Sequence, residues 1–357
     1  MVARDGEMQG HAEPVVPLRF FPRSQKPEGF EFVAYSKLLA TGFWRLASSG
    51  ASMLPIPEHG HEPVMVEEVL RFLDVKPGQV VMDCTVGRGG HAVRIARQLS
   101  PGGTLIALDV DPENLKYARK RLEAEGLKDV TIRTFHANFG EADDVLAEVE
   151  IKGVHGLLAD FGVSTNQWME KSHGLSFAEE EPLDMRLDPR IQKKASDIVA
   201  TWEEKEIADA LYEYAQERFS RRIARKIIQT RGNEPILTTG QLARLVRSVV
   251  PGMPGQIDPA TRTFQALRMA VNSELESLES LLRVTPKLMI AGGGTEGRSV
   301  FISFHSGEDR LVKQASRRWE QEGLCELLVK KPAEPTDEEI NRNPRSRSAK
   351  LRAMKWI

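Results

Sequence analysis

Short apolar runs, each closing at or beside an acid or a turn, alternate with stretches of helical periodicity, and few folds tolerate that order. Val80-Val81-Met82-Asp83 leads into a glycine cluster and then a helical pattern from His91 to Leu99, with Val93, Ile95, Ala96 and Leu99 apolar. Thr104 to Leu108 closes at Asp109, and a helix is expected from Pro112 to about Glu125. Proline suits a first helical turn, and Leu115, Ala118 and Leu122 supply the buried stripe. Val130 to Phe135 is β-branched and alternating, a third strand, and Gly156 to Asp160 is a fourth. Strands alternating with helices specify an α/β fold with a doubly wound, mostly parallel sheet, because parallel neighbours need a crossover helix.

The alternation stops near Trp168. A four-residue repeat through Ile207, Leu211, Ala215, Phe219, Ile223 and Ile227 predicts one long helix, and Gly240 to Val250 predicts another. A further long helix is expected from about Arg262 to Leu282, with Phe264, Leu267, Val271, Leu275 and Leu278 on one side. The Gly292-Gly293-Gly294 turn then leads to a strand over Ser299 to Phe304, so the sheet resumes after an insertion. The domains expected are therefore an α/β unit over 53–167 and 259–357 and an inserted helical domain over 168–258. The tail from Asn341 to Lys355 reads as polar, basic and unpatterned. Residues 1–52 carry scattered prolines and no sustained period, and are expected to be an extension outside the fold, with Met53 as the native start. Acids within the first 13 residues argue against a mitochondrial address.

Composition excludes several classes. With 41% hydrophobic and 28% charged residues the chain is globular rather than disordered. No stretch reaches the roughly 20 apolar residues of a membrane span. The two cysteines, Cys84 and Cys325, lie too far apart in sequence to suggest a disulfide framework or a thiolate metal site, and no metal site is expected. They suit a reducing compartment such as the cytoplasm. A net charge of −2 means that any RNA affinity must come from local basic patches.

Asp83-Cys84-Thr85-Val86-Gly87-Arg88-Gly89-Gly90-His91 falls where the first strand turns into the first helix. Glycines there let the backbone approach a ligand, and the helix start offers free N–H groups. Asp109 ends the second strand, where a carboxylate can accept hydrogen bonds from ribose hydroxyls. Two cofactors share this logic, a dinucleotide and S-adenosylmethionine. Val93 stands where a dinucleotide loop would have its third glycine, and the acid Asp83 suits a zwitterionic amino acid better than a pyrophosphate, which favours S-adenosylmethionine. The fourth strand ends at Asp160-Phe161-Gly162-Val163-Ser164, and open α/β sheets bind ligands at such strand ends.

Several strings then match one family in order: His61-Glu62-Pro63-Val64-Met65, Gly87 to His91, Asp160 to Ser164, and Pro182-Leu183-Asp184-Met185-Arg186-Leu187-Asp188-Pro189. Glu217 to Ala224, Thr261 to Arg268, Val271-Asn272-Ser273-Glu274-Leu275, Ser303-Phe304-His305-Ser306 and Asn343 to Ser348 complete the set. From about His59 onward the chain resembles the MraW/RsmH family of ribosomal RNA small-subunit cytosine-N4 methyltransferases. The resemblance implies a Rossmann-like methyltransferase fold with an inserted helical domain and S-adenosylmethionine as donor. It also implies a cytidine in the decoding centre of small-subunit rRNA as acceptor, presented on free RNA or the assembled subunit. Family cofactor contacts fall on Gly89, Gly90, His91, Asp109, Phe139, Asp160 and Gln167. Val86, Ala159, Asn166 and Gly307 depart from the usual family pattern without removing a named contact.

The exocyclic amine of cytosine is a poor nucleophile, so it must be aligned and its N–H groups must be accepted. Asp160 is the leading residue for that work, with Asp184, beside Arg186, and His305 as further catalytic candidates. Arg218, Arg221, Arg222, Arg225 and Lys226 form one basic cluster, and Arg342, Arg345, Arg347, Lys350 and Arg352 form a second in the tail. Either could neutralise phosphates, and either could be a solvated face. A methyltransferase for another substrate and a catalytically silent RNA-binding assembly factor remain as alternatives. Oligomeric state is left open, a dimer among the options.

Overall fold

The computed structural model describes residues 62–169, 173–252, 257–290 and 296–357. The extension over 1–52, Met53, His61 and the glycine run 292–294 lie outside the described residues. The α/β part opens with α1 (Val66–Leu73), β1 (Val80–Asp83), α2 (Gly90–Leu99), β2 (Thr104–Asp109), α3 (Pro112–Ala124), β3 (Thr131–His136), α4 (Ala142–Glu148) and β4 (Gly156–Asp160). Helices follow: α5 (Thr165–Met169), α6 (Ala195–Thr201), α7 (Glu204–Ala215), α8 (Ser220–Arg231), α9 (Thr239–Val249), α10 (Ala260–Asn272) and α11 (Glu274–Leu288). The chain returns to the sheet with β5 (Arg298–Ser303), α12 (Ser306–Gln321), β6 (Cys325–Leu327), α13 (Asp337–Arg342) and β7 (Lys350–Trp356).

The seven strands lie in the order β3-β2-β1-β4-β5-β7-β6. The first five are parallel, and β7 runs antiparallel between β5 and β6. Order reverses between β1 and β4, so the carboxyl ends of these two strands open the crevice where α/β sheets bind ligands. Successive strand residues face opposite sides, which builds one core on each face. Met82, Ile106, Leu157 and Phe301 pack with Trp319 on one side, and Val81, Leu105, Leu158 and Val300 pack with Ile95 on the other. At about 1.5–3 kcal/mol for each fully buried large side chain, these two layers hold the sheet rigid. A third cluster, drawn from Leu175 to Val271, is made by the helices α6 to α10.

Three expectations are corrected. The repeat from Ile207 to Ile227 is two helices, because Gln216 takes a left-handed conformation (φ 51°) and closes α7 before α8 begins. The long helix across Arg262 to Leu282 is likewise broken at Ser273 (φ 48°), which separates α10 from α11. The tail is no unpatterned coil, since β7 fills an inner position with Leu351, Arg352, Ala353, Met354 and Trp356 buried. No helix among the described residues is long and apolar enough to cross a membrane.

Candidate active site

The loop after β1 continues the sheet before it turns. Cys84 N–H donates to Leu158 O and Val86 N–H to Leu108 O, both at 2.8 Å, which fixes the loop between β4 and β2. Gly87 (φ 52°) and Gly89 (φ 79°) then adopt left-handed conformations that L side chains rarely hold. Gly90 begins α2 against the Pro63 ring, where a Cβ would stand 2.9 Å from two ring carbons. The loop is pinned from the next strand: Asp109 Oδ2 accepts Gly87 N–H at 2.8 Å, and Oδ1 accepts Asp111 N–H at 2.9 Å. Burial pushes the Asp109 carboxyl up to about 6. Asp83 lies beneath the loop, 1% exposed, and burial pushes it up to about 7.

Asp160 ends β4 at the other side of the crevice. Its N–H donates to Thr85 Oγ at 2.7 Å, so the two strand ends are tied together. Its Oδ2 stands 3.5 Å from His91 Nε2, while Oδ1 is buried without a hydrogen-bond partner. Burial raises its pKa despite the opposing pull of His91. Neither ring nitrogen of His91 finds a hydrogen-bond partner, although the residue is 7% exposed. Buried polar atoms left unsatisfied are costly, and here they face a cavity that a ligand can fill.

Gln167 is a buried strut whose Nε2 donates to Asp111 Oδ2 at 3.0 Å and whose Oε1 accepts Ser164 N–H at 3.0 Å. It holds the loop after β4 against the start of α3 and lines the cavity. Phe139 lines it too, edge-on to Phe161 with ring centroids 5.5 Å apart. Of the sequence-predicted cofactor residues, Gly90, His91, Asp109, Phe139, Asp160 and Gln167 line one cavity. Gly89 supplies the turn instead, its N–H bonded to Val86 O at 2.8 Å.

The further catalytic candidates are placed differently. Asp184 is bound by Arg186 through two hydrogen bonds of 2.6 and 2.9 Å and by Lys194 at 3.3 Å. Those cations outweigh burial and hold its carboxyl below the usual range. It is not among the described residues that line the cavity; Asp188, four positions on, is. His305 caps α12 and stands outside the lining, its Nε2 at 3.0 Å from Glu308 Oε1, whereas Glu308 lines the cavity.

Four residues that carried no role in the sequence reading complete the site. Asp188, Asn272, Glu274 and Glu308 all line the cavity. Asn272 accepts Leu187 N–H and donates to Met185 O, both at 2.8 Å, which hangs the Pro182–Pro189 segment over the crevice. Glu274 is gripped by the buried Arg268 at 2.7 and 2.8 Å. Polar residues near a motif give no local signal of which way they face; only the matching strings around them could have pointed here.

The cavity's charge decides what it can hold. Five carboxylates (Asp109, Asp160, Asp188, Glu274 and Glu308) line it, Asp188 and Glu274 being held from outside the lining by Arg190 and Arg268, and among the described residues no lysine or arginine lines it. A pyrophosphate would meet repulsion from acids without a cationic side chain in return, which disfavours a dinucleotide. A ligand carrying cationic groups, a ribose and an apolar ring fits the acids, Asp109 and the Phe139–Leu278 wall. A metal is a poorer fit at the one described cluster of possible ligands, Glu274, His305 and Glu308, because Arg268 already neutralises Glu274.

A model of the MraW methylase family matches residues 58–357. The ribosomal RNA small subunit methyltransferase H of Acidobacterium capsulatum is 48% identical over 298 residues, covering 82% of this chain and 97% of its own length. That of Syntrophotalea carbinolica is 44% identical over 314 residues, covering 83% and 98% respectively. That of Thermotoga neapolitana is 44% identical over 306 residues, covering 84% and 97%.

Proposed function

The chain belongs to the MraW methylase family, and we propose that it methylates the exocyclic N4 of a cytidine in the decoding centre of small-subunit ribosomal RNA, using S-adenosylmethionine. The observation that carries the cofactor is the acid-lined cavity between the ends of β1, β2 and β4, which no lysine or arginine lines among the described residues. In this reading Asp109 holds the ribose hydroxyls, Phe139 lies against the adenine, and Gly90 and His91 cradle the amino-acid part on the turn that Gly89 makes. Gln167 keeps the wall in place. S-adenosylmethionine supplies an electrophilic methyl group.

The remaining chemistry falls to this chain's residues. Asp160 has an unpartnered carboxylate oxygen in the crevice, and carboxylates suit the N4 amino group of cytosine as acceptors. Accepting one N–H fixes the amine's orientation and raises its electron density, and the same carboxylate would take the proton that the amine gives up on receiving the methyl group, the sulfonium S–C bond breaking to leave a neutral thioether. The acids Glu274 and Glu308 line the same cavity and suit the cytosine edge. Asp184 and His305 act through the segments they hold, as positioning residues. The helical region over 168–258 serves as the substrate-recognition domain, and the RNA substrate places the enzyme with ribosomes in the cytoplasm.

Tritiated-methyl transfer to small subunits lacking the modification, followed by nucleoside mass spectrometry, tests the reading. N4-methylated cytidine is the expected product. A methyl group on another atom would move the acceptor assignment, and absence of transfer to both subunits and free rRNA would remove the RNA substrate.

A further inference from the structure

A second, larger cavity of about 910 Å³ opens where α7, α10, α11 and the start of α12 meet. Resting on the RNA reading above, we propose that this groove carries the RNA strand leading away from the target nucleotide, with Arg218, Arg262 and Arg310 on its phosphates and Tyr212 against a base.

The first argument is continuity. Glu274 and Glu308 line the acid-rich cavity, while their chain neighbours Leu275 and Gly307 line the groove. The two spaces are thus separated by one thickness of backbone, at the turn into α11 and the first turn of α12. A base seated in the inner cavity leaves its sugar and phosphates at the mouth, and the adjoining nucleotides need a channel that starts there.

Charge supplies the second argument. Several exposed arginines of the helical region are already matched: Arg190 to Asp188, Arg225 to Glu204, Arg244 to Glu180 and Arg247 to Asp258. Arg221 and Arg222, without a carboxylate partner among the described residues, lie outside the groove. In the tail cluster Arg342 is paired with Glu62 and Arg352 with Asp309. Arg218, Arg262 and Arg310 are exposed, and among the described residues none has a carboxylate within ion-pair distance. Arg262 makes one hydrogen bond, to Gln216 O at 3.3 Å. Three cations free of carboxylate partners around one groove are a phosphate-binding arrangement.

The third argument is the aromatic. Tyr212 is 61% exposed at the groove wall, where its ring is open to a flat partner. Base stacking on such a ring tolerates any sequence. Acids are present as well: Glu213, Glu276 and Glu279 line the groove, and Glu276 accepts the Tyr214 hydroxyl at 2.7 Å. Carboxylates repel phosphates but accept hydrogen bonds from base amino groups, so they favour a strand whose bases, not its backbone, turn toward α11.

The test compares wild type with an Arg218→Ala/Arg262→Ala/Arg310→Ala variant, and with its all-lysine counterpart, on an unmodified small-subunit rRNA transcript. Binding is followed across a potassium chloride series, and methyl transfer at steady state. The alanine variant is expected to flatten the slope of log K against log salt by about 2, at ~0.7 per phosphate on a single strand. Its KM for transcript should rise at least about ten-fold, with kcat and S-adenosylmethionine affinity unchanged, and lysines should restore the slope. Tyr212→Ala should weaken binding about ten-fold without altering the slope. An unchanged slope and KM in the alanine variant overturns the proposal. So does an unchanged slope together with a shift from dimer to monomer in sedimentation, which would assign the groove to a second copy of the chain. Wild-type failure to methylate both the transcript and unmodified small subunits would count against the enzymatic reading, while the salt slopes would still decide the groove.

Discussion

His91 Nε2 stands 3.5 Å from Asp160 Oδ2, with both side chains nearly out of solvent and neither histidine nitrogen hydrogen-bonded. One residue opens the helix after β1 and the other ends β4, so the pair spans the sheet's point of reversal. The distance is longer than that of a good hydrogen bond, and Asp160 Oδ1 is left to receive a ligand N–H.

Replacing Asp160 by Asn keeps shape and removes the proton acceptor. Single-turnover methyl transfer is expected to slow by at least about 100-fold, the lower range for loss of a general base. S-adenosylmethionine affinity, read by titration calorimetry, should change far less than the rate. A variant that transfers methyl at the wild-type rate would remove Asp160 from the chemistry.

Gly90→Ala places a methyl group 2.9 Å from two carbons of the Pro63 ring, at the first residue of α2. The ring must move or the helix start must tilt, at a cost of about 1–3 kcal/mol for overpacking. The cofactor loop shares that helix start, so calorimetry should show affinity at least about ten-fold weaker and a lowered melting temperature. Unchanged affinity would mean that the Pro63 segment yields freely.

Asp83 gives the ligand-free protein a pH dependence of stability. Its carboxyl sits at about 7 in the folded chain, raised mainly by burial, against about 3.9 for an unperturbed aspartate. Between these values the folded state holds a proton that the unfolded state has lost, so stability falls as pH rises from about 4 to about 7. One such proton contributes a slope of about 1.4 kcal/mol per pH unit. Urea unfolding of Asp83→Asn across pH 5–7 should show this contribution gone, and a slope equal to wild type would contradict it.

Arg268 is buried with Glu274, its two guanidinium hydrogen bonds being 2.7 and 2.8 Å. Arg268→Ala leaves that carboxylate without its partner beside the cavity and should cost about 3–5 kcal/mol in chemical denaturation. Pairing it with Glu274→Ala should recover part of the loss. If the double variant is as unstable as the sum of the singles, the pair is not coupled.

Much of the site was legible because its signals are local. Gly87, Gly89 and Gly90 mark backbone that must turn tightly, and Asp109 and Asp160 stand at strand ends, so sequence position alone sets them at the sheet's edge. The breaks at Gln216 and Ser273 were hidden for an equally local reason. A left-handed residue that closes one helix just before the next begins leaves the apolar spacing in register, and neither Gln nor Ser announces such a conformation. The sequence singled out Asp184, which Arg186 and Lys194 hold, and gave no signal that Asp188 lines the cavity.

By itself the sequence determined the alternating α/β order, the glycine loop, the acids at the strand ends and the family. Each of these depends on neighbours within a few residues or on long matching strings. Only the tertiary structure decided that the tail is the inner strand β7, because a strand buried on both faces lacks the period-two pattern and is defined by pairing with distant β5 and β6. It also decided that Asn272, Glu274 and Glu308 join Asp160 at one crevice. Those residues lie more than 100 positions from Asp160, and packing, not periodicity, brings their side chains to the same space.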